Sequence, residues 1–279
     1  MKLEEIDVGA CNPFRDYPFK VKDDADMDML VQSILDNGVM FPILVRPQSE
    51  IGYEIVSGHR RVFACKKAGI EKIPALIRQM DRDEAVICMV DSNLQRESLL
   101  PSEKAFAYKM KVEALSHQGK ASVQVGQKSS RGVVAEDAGE SETQVQRYIR
   151  LTYLIRPLLD LVDEGRIALG PAVELSYLPE EAQRAVYDYY TENEVTPSYS
   201  QANQMKKRSA EGTLTPETML QILDQPKANQ VEMFRIPIER IRPFFSPRVP
   251  KEKMLDVIVK ALEYYAKAQE RKRNSRDAR

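Results

Sequence analysis

Apolar positions along the first hundred residues switch between two periods. Met27, Leu30, Val31, Ile34 and Leu35 recur at helical spacing after Asp23-Asp24, and Asn37-Gly38 follows as a stop signal, so a helix is predicted there. FPILVRP and YEIVS are short apolar runs with β-branched residues, which predicts two strands. A helix from about Arg60 to Ala68, ended by Gly69, leads into the strand IPALIR and a helix around DEAVICMVD. This alternation predicts an α+β unit. From Pro101 the pattern turns helical: SEKAFAYKMKVEAL is a strong helix, HQGKASVQVGQKSSRG a flexible loop, and helices continue to about Ala210. Thr213-Leu214-Thr215-Pro216 opens one more short helix. QPKANQ reads as a linker, VEMFRIPIERI as a strand and KEKMLDVIVKALEYYAKAQERK as a long C-terminal helix.

Composition narrows the class. With 279 residues, 43% hydrophobic and 30% charged, the chain can bury a sizeable core in two or three domains. The 41 Lys and Arg are balanced by 42 Asp and Glu, so any nucleic-acid contact must come from a local basic face. Cys11, Cys65 and Cys88 match no zinc spacing and read as buried reduced thiols, and with His59 and His117 the only histidines, no protein-built metal cluster is expected. The start carries Glu4, Glu5 and Asp7 rather than a leader pattern, and no apolar run reaches the roughly 20 residues that span a bilayer. The expectation is a cytoplasmic protein with no membrane partner.

The stretch VSGHRRVFACKKAG, Val56 to Gly69, joins a strand end to a helix through one glycine and two adjacent arginines. Such a glycine lets backbone approach a ligand, free N–H groups in the helix's first turn favour an anion, and Arg60 and Arg61 add fork-shaped charged donors. A triphosphate suits that site; equally, one arginine could pair with a carboxylate and the other face water. His59 reads either as an exposed turn histidine, as one bonded to a backbone carbonyl, or as a phosphate contact. A second segment, DSNLQRESLLPSEKAFAYK, Asp91 to Lys109, sets Asn93, Gln95 and Arg96 between apolar runs.

Together these segments, with Asn12-Pro13-Phe14 and FPILVRP, resemble the ParB family of partition proteins over residues 5–210. The resemblance implies an α+β ParB/sulfiredoxin-like N-terminal domain followed by an all-α helix-turn-helix domain and a small C-terminal strand-helix region, with boundaries at 1–98, 99–211 and 212–279. It implies a CTP pocket formed by Gly58, His59, Arg60, Arg61 and Ala64 with Asn93, Gln95 and Arg96, and Mg²⁺ bound through the nucleotide with help from Asn93. Lys20 stands beside Pro18-Phe19, where the family often has a Pro-Arg pair. The chain departs from the family at His59 and Ser92, where acidic residues are common, so binding of CTP is better supported than its hydrolysis; Asp91 could substitute.

VVAEDAGESETQVQRYIRL, Val133 to Leu151, has helix-turn-helix spacing, with Ala135 four positions before Gly139 and Val145 six after it. Ser141 can cap the second helix, and Ser141, Thr143, Gln144, Gln146, Arg147 and Arg150 form the predicted DNA-binding set, with Gln144, Gln146 and Arg147 at base edges. Glu136, Asp137, Glu140 and Glu142 oppose this, because carboxylates beside DNA phosphates cost affinity. Phosphate contacts are therefore sought at Lys120, Lys128, Arg131, Lys206, Lys207 and Arg208. The tail from Lys267 to Arg279 has six basic and two acidic residues and fits either loose DNA contact or a solvated helix end.

The expected function is a CTP-controlled DNA clamp in plasmid or chromosome segregation: a homodimer on a palindromic site in double-stranded DNA, associated with the nucleoid. Two alternatives stay open, a nucleotide-independent transcriptional regulator of a mobile element and a nucleotide-dependent enzyme, nuclease or phosphotransferase, on the same fold. Family members stimulate a ParA-type ATPase through a basic N-terminal extension; the residues before Asn12 are acidic, which argues against that partner.

Overall fold

The computed structural model describes residues 1–48, 52–96, 99–118, 129–225, 238–246 and 249–277, with backbone alone for 251, 252 and 270–277. Two compact units divide it, Met1–Gln225 and Pro226–Arg279.

A five-stranded mixed sheet organises the start of the first unit. Its strands are β1 (Lys2–Asp7), β2 (Cys11–Asn12), β3 (Ile43–Pro47), β4 (Tyr53–Ser57) and β5 (Lys72–Ile77), in the order β1-β5-β3-β4-β2. β1 runs antiparallel to β5, β5 parallel to β3, β3 antiparallel to β4, and β4 parallel to β2. Helices α1 (Ala25–Asn37) and α2 (His59–Lys67) supply Met27, Ile34, Val62, Ala64 and Cys65 to a core with Ile43, Val45, Ile55, Ile73 and Ala75. Val56, next to Ile55 on β4, joins a different core with Phe14, Phe19 and the Val86, Met89 and Val90 of α3 (Arg82–Leu94). Successive strand residues point to opposite faces, so Ile55 and Val56 place β4 between two cores.

Helix α4 (Pro101–His117) is buried on several sides and therefore shared. Ala107 and Ala114 pack with α3, while Tyr108 and Leu115 join Val134, Ala135 and Val145 of α5 (Ser130–Ala138) and α6 (Glu142–Arg150). Ala105 belongs to the largest core, built from α7 (Arg156–Asp163), α8 (Leu169–Leu175), α9 (Glu180–Asn193), α10 (Tyr199–Ala210) and α11 (Pro216–Leu223). With residues buried in three separate cores, α4 is the axle of the first unit.

The second unit holds the short α12 (Ile238–Ile241) and the 27-residue α13 (Lys251–Asp277). Among the described residues no helix is long and apolar enough to cross a membrane.

Three expectations need correction. The sequence pattern missed β1, an edge strand in which only Ile6 is buried, so its alternation is weak. Ser130 to Gly132, read as loop, begin α5, because the Ser129 hydroxyl accepts the Gly132 N–H at 3.0 Å and caps the helix. The strand read into VEMFRIPIERI falls partly outside the described residues, and its last four residues form helix α12.

Candidate nucleotide cleft and nucleic-acid interface

The turn from β4 to α2 depends on Gly58. Its φ is +107°, and a Cβ there would stand 2.5 Å from Cγ2 of Ile43. Glycine as the capping residue brings no side chain to the first turn of α2, whose N–H groups stay available to an anion.

The two arginines diverge. Arg60 lines a cleft of about 600 Å³ with Lys20, Lys22, Asp24, Asp26, Arg96, Leu99, Leu100 and Glu103. Among the described residues neither Arg60 nor Arg96 forms an ion pair, so two guanidinium groups face a cavity that Asp24, Asp26 and Glu103 also line without pairing with either. Arg61 turns the other way and donates to the backbone carbonyls of Phe41 and, at 2.7 Å, Pro42. Burial lowers its pKa, and it acts as a brace for the chain entering β3. The expectation that both arginines meet phosphate is corrected for Arg61.

His59 is neither exposed nor bonded to a carbonyl. It is buried, stacks on Tyr17 with ring centroids 3.6 Å apart, and its Nε2 accepts the Phe14 N–H at 3.3 Å. That assigns the proton of the neutral ring to Nδ1, which is buried with no hydrogen-bond partner among the described residues. Desolvation, with a smaller push from the Arg96 charge, lowers the imidazole pKa from its ordinary 6.5 to about 4.

Tyr17 joins the two motifs. Its phenol faces Asn93 and Arg96, and burial raises its pKa against the pull of the Arg96 charge. Asn93 is buried at the end of α3 and donates from Nδ2 to the Met89 carbonyl at 2.8 Å, while Arg96 lies over the Phe19 ring at 5.7 Å. Gln95 is exposed and caps α3. Ser92 Oγ donates to the same Met89 carbonyl at 2.9 Å, and Asp91, the candidate substitute carboxylate, is bonded to Lys111. Ala64 is buried in the α2 core.

Glu103 and Asp163 fix the cleft wall. Glu103 accepts the Lys20 N–H at 2.7 Å and the Leu100 N–H at 2.9 Å. Asp163 accepts from Ser102 N and Oγ at 2.9 and 2.6 Å and pairs with the Lys20 ammonium at 3.2 Å. Tyr17, Lys22 and Glu103 escaped the sequence reading; the aromatic density of NPFRDYPF was the one available signal.

The helix-turn-helix takes the expected form. Gly139 sits in the left-handed region at φ +64°, the Ser141 hydroxyl accepts the Gln144 N–H at 3.2 Å, and Val145 packs on Val134 and Ala135. Ser141 is thus used as a cap. Thr143 and Gln146 are exposed, with Gln144 and Arg147 half-buried beside them. Arg147 donates to Gln144 at 3.3 Å, and Arg131 of α5 donates to Gln146 at 2.7 Å.

Arg150 leaves the set. Its guanidinium donates to Ser176 Oγ and O at 3.0 and 2.6 Å and lies between the rings of Tyr153 and Tyr177, 4.3 and 3.9 Å from their centroids. It fastens α6 to the end of α8. Lys206 is similarly engaged, with Glu174 at 2.9 Å and over Tyr177. Lys207 and Arg208 are exposed; Lys120 and Lys128 lie outside the described residues. Among the acidic groups that opposed DNA binding, Asp137 pairs with Lys111 at 2.6 Å, Glu140 with Lys104 at 2.7 Å, and Glu142 meets the Ser129 hydroxyl at 3.2 Å.

Cys11 and Cys65 are buried and Cys88 half-buried, all free thiols, and burial raises the pKa of the first two. Such thiols are poor nucleophiles. Among the described residues no group of three or more His, Cys, Asp or Glu could hold a metal ion.

The family model of the ParB N-terminal domain matches residues 1–94. A probable chromosome 1-partitioning protein ParB of Deinococcus radiodurans is 35% identical over 180 residues, 64% of this chain and 56% of that protein. A probable chromosome-partitioning protein ParB of Neisseria meningitidis is 30% identical over 214 residues, 74% of this chain and 70% of that protein. The crystal structure of C-terminally truncated ParB from Caulobacter crescentus complexed to the centromeric parS site aligns over 74% of this chain and 99% of that one, at 22% identity and a TM-score of 0.43. The chain belongs to the ParB family. It spans little more than half the length of the Deinococcus relative.

Proposed function

We propose that this chain is a DNA-binding partition protein whose hold on DNA is set by CTP. The observation that carries the reading is the convergence of Arg60 and Arg96, neither in an ion pair among the described residues, on one cleft at the uncapped start of α2. A polyphosphate would give both guanidinium groups a partner, and Lys22 lines the same cleft. Cytidine as the base follows from the family's motif at Gly58, Arg60, Asn93, Gln95 and Arg96. The family resemblance implies that Mg²⁺ arrives with the nucleotide, with help from Asn93.

Binding without rapid hydrolysis is the expected behaviour. The acceptor nitrogen of His59 is engaged by Phe14 and the Ser92 hydroxyl by Met89, so neither residue at the two departures from the family's acidic positions is free to orient an attacking water. Duplex DNA is read by Thr143, Gln144, Gln146 and Arg147 of α6, in a homodimer on a two-fold-symmetric site, for partition of a chromosome or plasmid in the nucleoid.

Calorimetric titration with CTP, ATP, GTP and UTP in Mg²⁺ tests the reading, with Arg60→Ala as the control. CTP should bind and the other three fall well behind. Specific DNA binding with no response to any of the four would leave a nucleotide-independent regulator; turnover of nucleotide without DNA would favour an enzyme. Crosslinking between protomers on DNA carrying the enriched site should rise with CTP.

A further inference from the structure

Lys111 sits inside α4 with 1% of its side chain exposed, an uncommon place for an ammonium. It donates to Asp91 of α3 and, at 2.6 Å, to Asp137 of α5. The two carboxylates are 48% and 45% exposed, so water can serve their outer oxygens while the ammonium depends on the two carboxylates. Taking one partner from a buried charge is far costlier than loosening a surface pair, because the charge that stays behind is uncompensated. Asp91 is two residues from Asn93 on the helix that ends at the second nucleotide motif, and Asp137 is two residues from Gly139 in the helix-turn-helix. One cation therefore ties the element that meets nucleotide to the element that presents the DNA reader.

We propose that Lys111 is the coupling residue of this protein: through it the position of α3 sets how firmly α5 is held on α4. Its use as a nucleotide-to-DNA relay rests on the function proposed above. A small displacement of the last turn of α3, as Asn93 and Arg96 take a ligand, draws Asp91 off the ammonium. Lys111 is then held by Asp137 alone, its burial is poorly compensated, and the seam between α4 and α5 opens to let it reach water. The two arrangements differ by a discrete ion pair, which is the kind of two-state element that coupling requires. The Lys104–Glu140 pair also joins α4 to the helix-turn-helix but involves no group of α3, so it holds without relaying.

Amide hydrogen exchange in α5, residues 130–138, measures the link in the full chain without ligand. Asp91→Ala should accelerate exchange in α5 by about five-fold or more. In a Lys111→Met background the same change should be silent, because an apolar side chain of similar length needs no counter-ion. Asp137→Ala should also silence it, which keeps the test available if Lys111→Met folds poorly. An Asp91→Ala effect confined to α3, or one of equal size in both backgrounds, overturns the proposal. Adding CTP should accelerate α5 exchange in the natural chain but not in Lys111→Met that still binds CTP; an equal response in the two overturns it as well. If the natural chain binds no CTP, the proposed function fails while the Asp91→Ala comparison still decides the link.

Discussion

The β4–α2 turn and the helix-turn-helix each present a pair of arginines, and the pairs meet opposite ends. At the turn Arg60 faces an open cleft while its neighbour Arg61 is spent on the Phe41 and Pro42 carbonyls. On α6 Arg147 lies among the outward polar residues, while Arg150, nearly one turn on, is clamped by Ser176, Tyr153 and Tyr177. Both regions use one arginine to hold the scaffold, and the other is the one proposed to meet a ligand. A guanidinium's five donors suit either task, and which task it takes depends on whether carbonyls or solvent lie within reach.

Gly58→Ala should have the largest effect. A Cβ at φ +107° and 2.5 Å from Ile43 combines backbone strain with overlap, so a loss of about 3 kcal/mol or more is expected in urea unfolding. The turn would fail as a scaffold before any ligand is added, whereas the equivalent Gly139→Ala, with nothing within 4 Å of its Cβ, should cost about 1 kcal/mol.

The acid response of the turn comes next. The folded pKa of His59, about 4, lies below its ordinary 6.5, so the folded state binds fewer protons than the unfolded chain between those values. Its contribution is therefore complete above pH 6.5 and is lost as pH falls toward 4, amounting to about 3 kcal/mol. His59→Gln, which retains an acceptor for Phe14, should flatten the stability curve across that window relative to the natural chain. Parallel curves would show that the ring is solvated.

The arginine pairs then separate by readout. Arg60→Ala should weaken CTP binding by at least about tenfold with little change in thermal stability, while Arg61→Ala should lower stability by about 1–3 kcal/mol. Equal losses of affinity in calorimetry would erase the distinction. On α6, Arg147→Ala should cost about 1–3 kcal/mol of DNA affinity in fluorescence anisotropy, and Arg150→Ala should act mainly on stability. The smallest effect is expected at Lys207 and Arg208, where alanine should reduce the salt dependence of DNA binding without changing site preference.

Much of this protein was legible beforehand where local chemistry leaves few choices. A left-handed glycine between YEIVS and an apolar-periodic helix, Gly139 four residues after Ala135, and Pro216 after a threonine cap each specify a backbone path from a few neighbouring residues. β1 was hidden because an edge strand with one fully buried side chain carries almost no periodic signal, and its pairing with β5 lies some seventy residues away. The fate of His59 was hidden for a related reason: Tyr17 and Phe14, which bury it and take its nitrogen, come from another loop.

By itself the sequence determined the elements, the two turns and the residue types offered at each, since dihedral preference, capping and apolar spacing act over a few residues. Tertiary structure alone decided which arginine stays free, which carboxylates are neutralised, and that one buried lysine on α4 meets carboxylates from both flanking helices. Those outcomes depend on charges and carbonyls brought within about 4 Å from distant parts of the chain, where Coulomb and hydrogen-bond energies become large enough to select a partner.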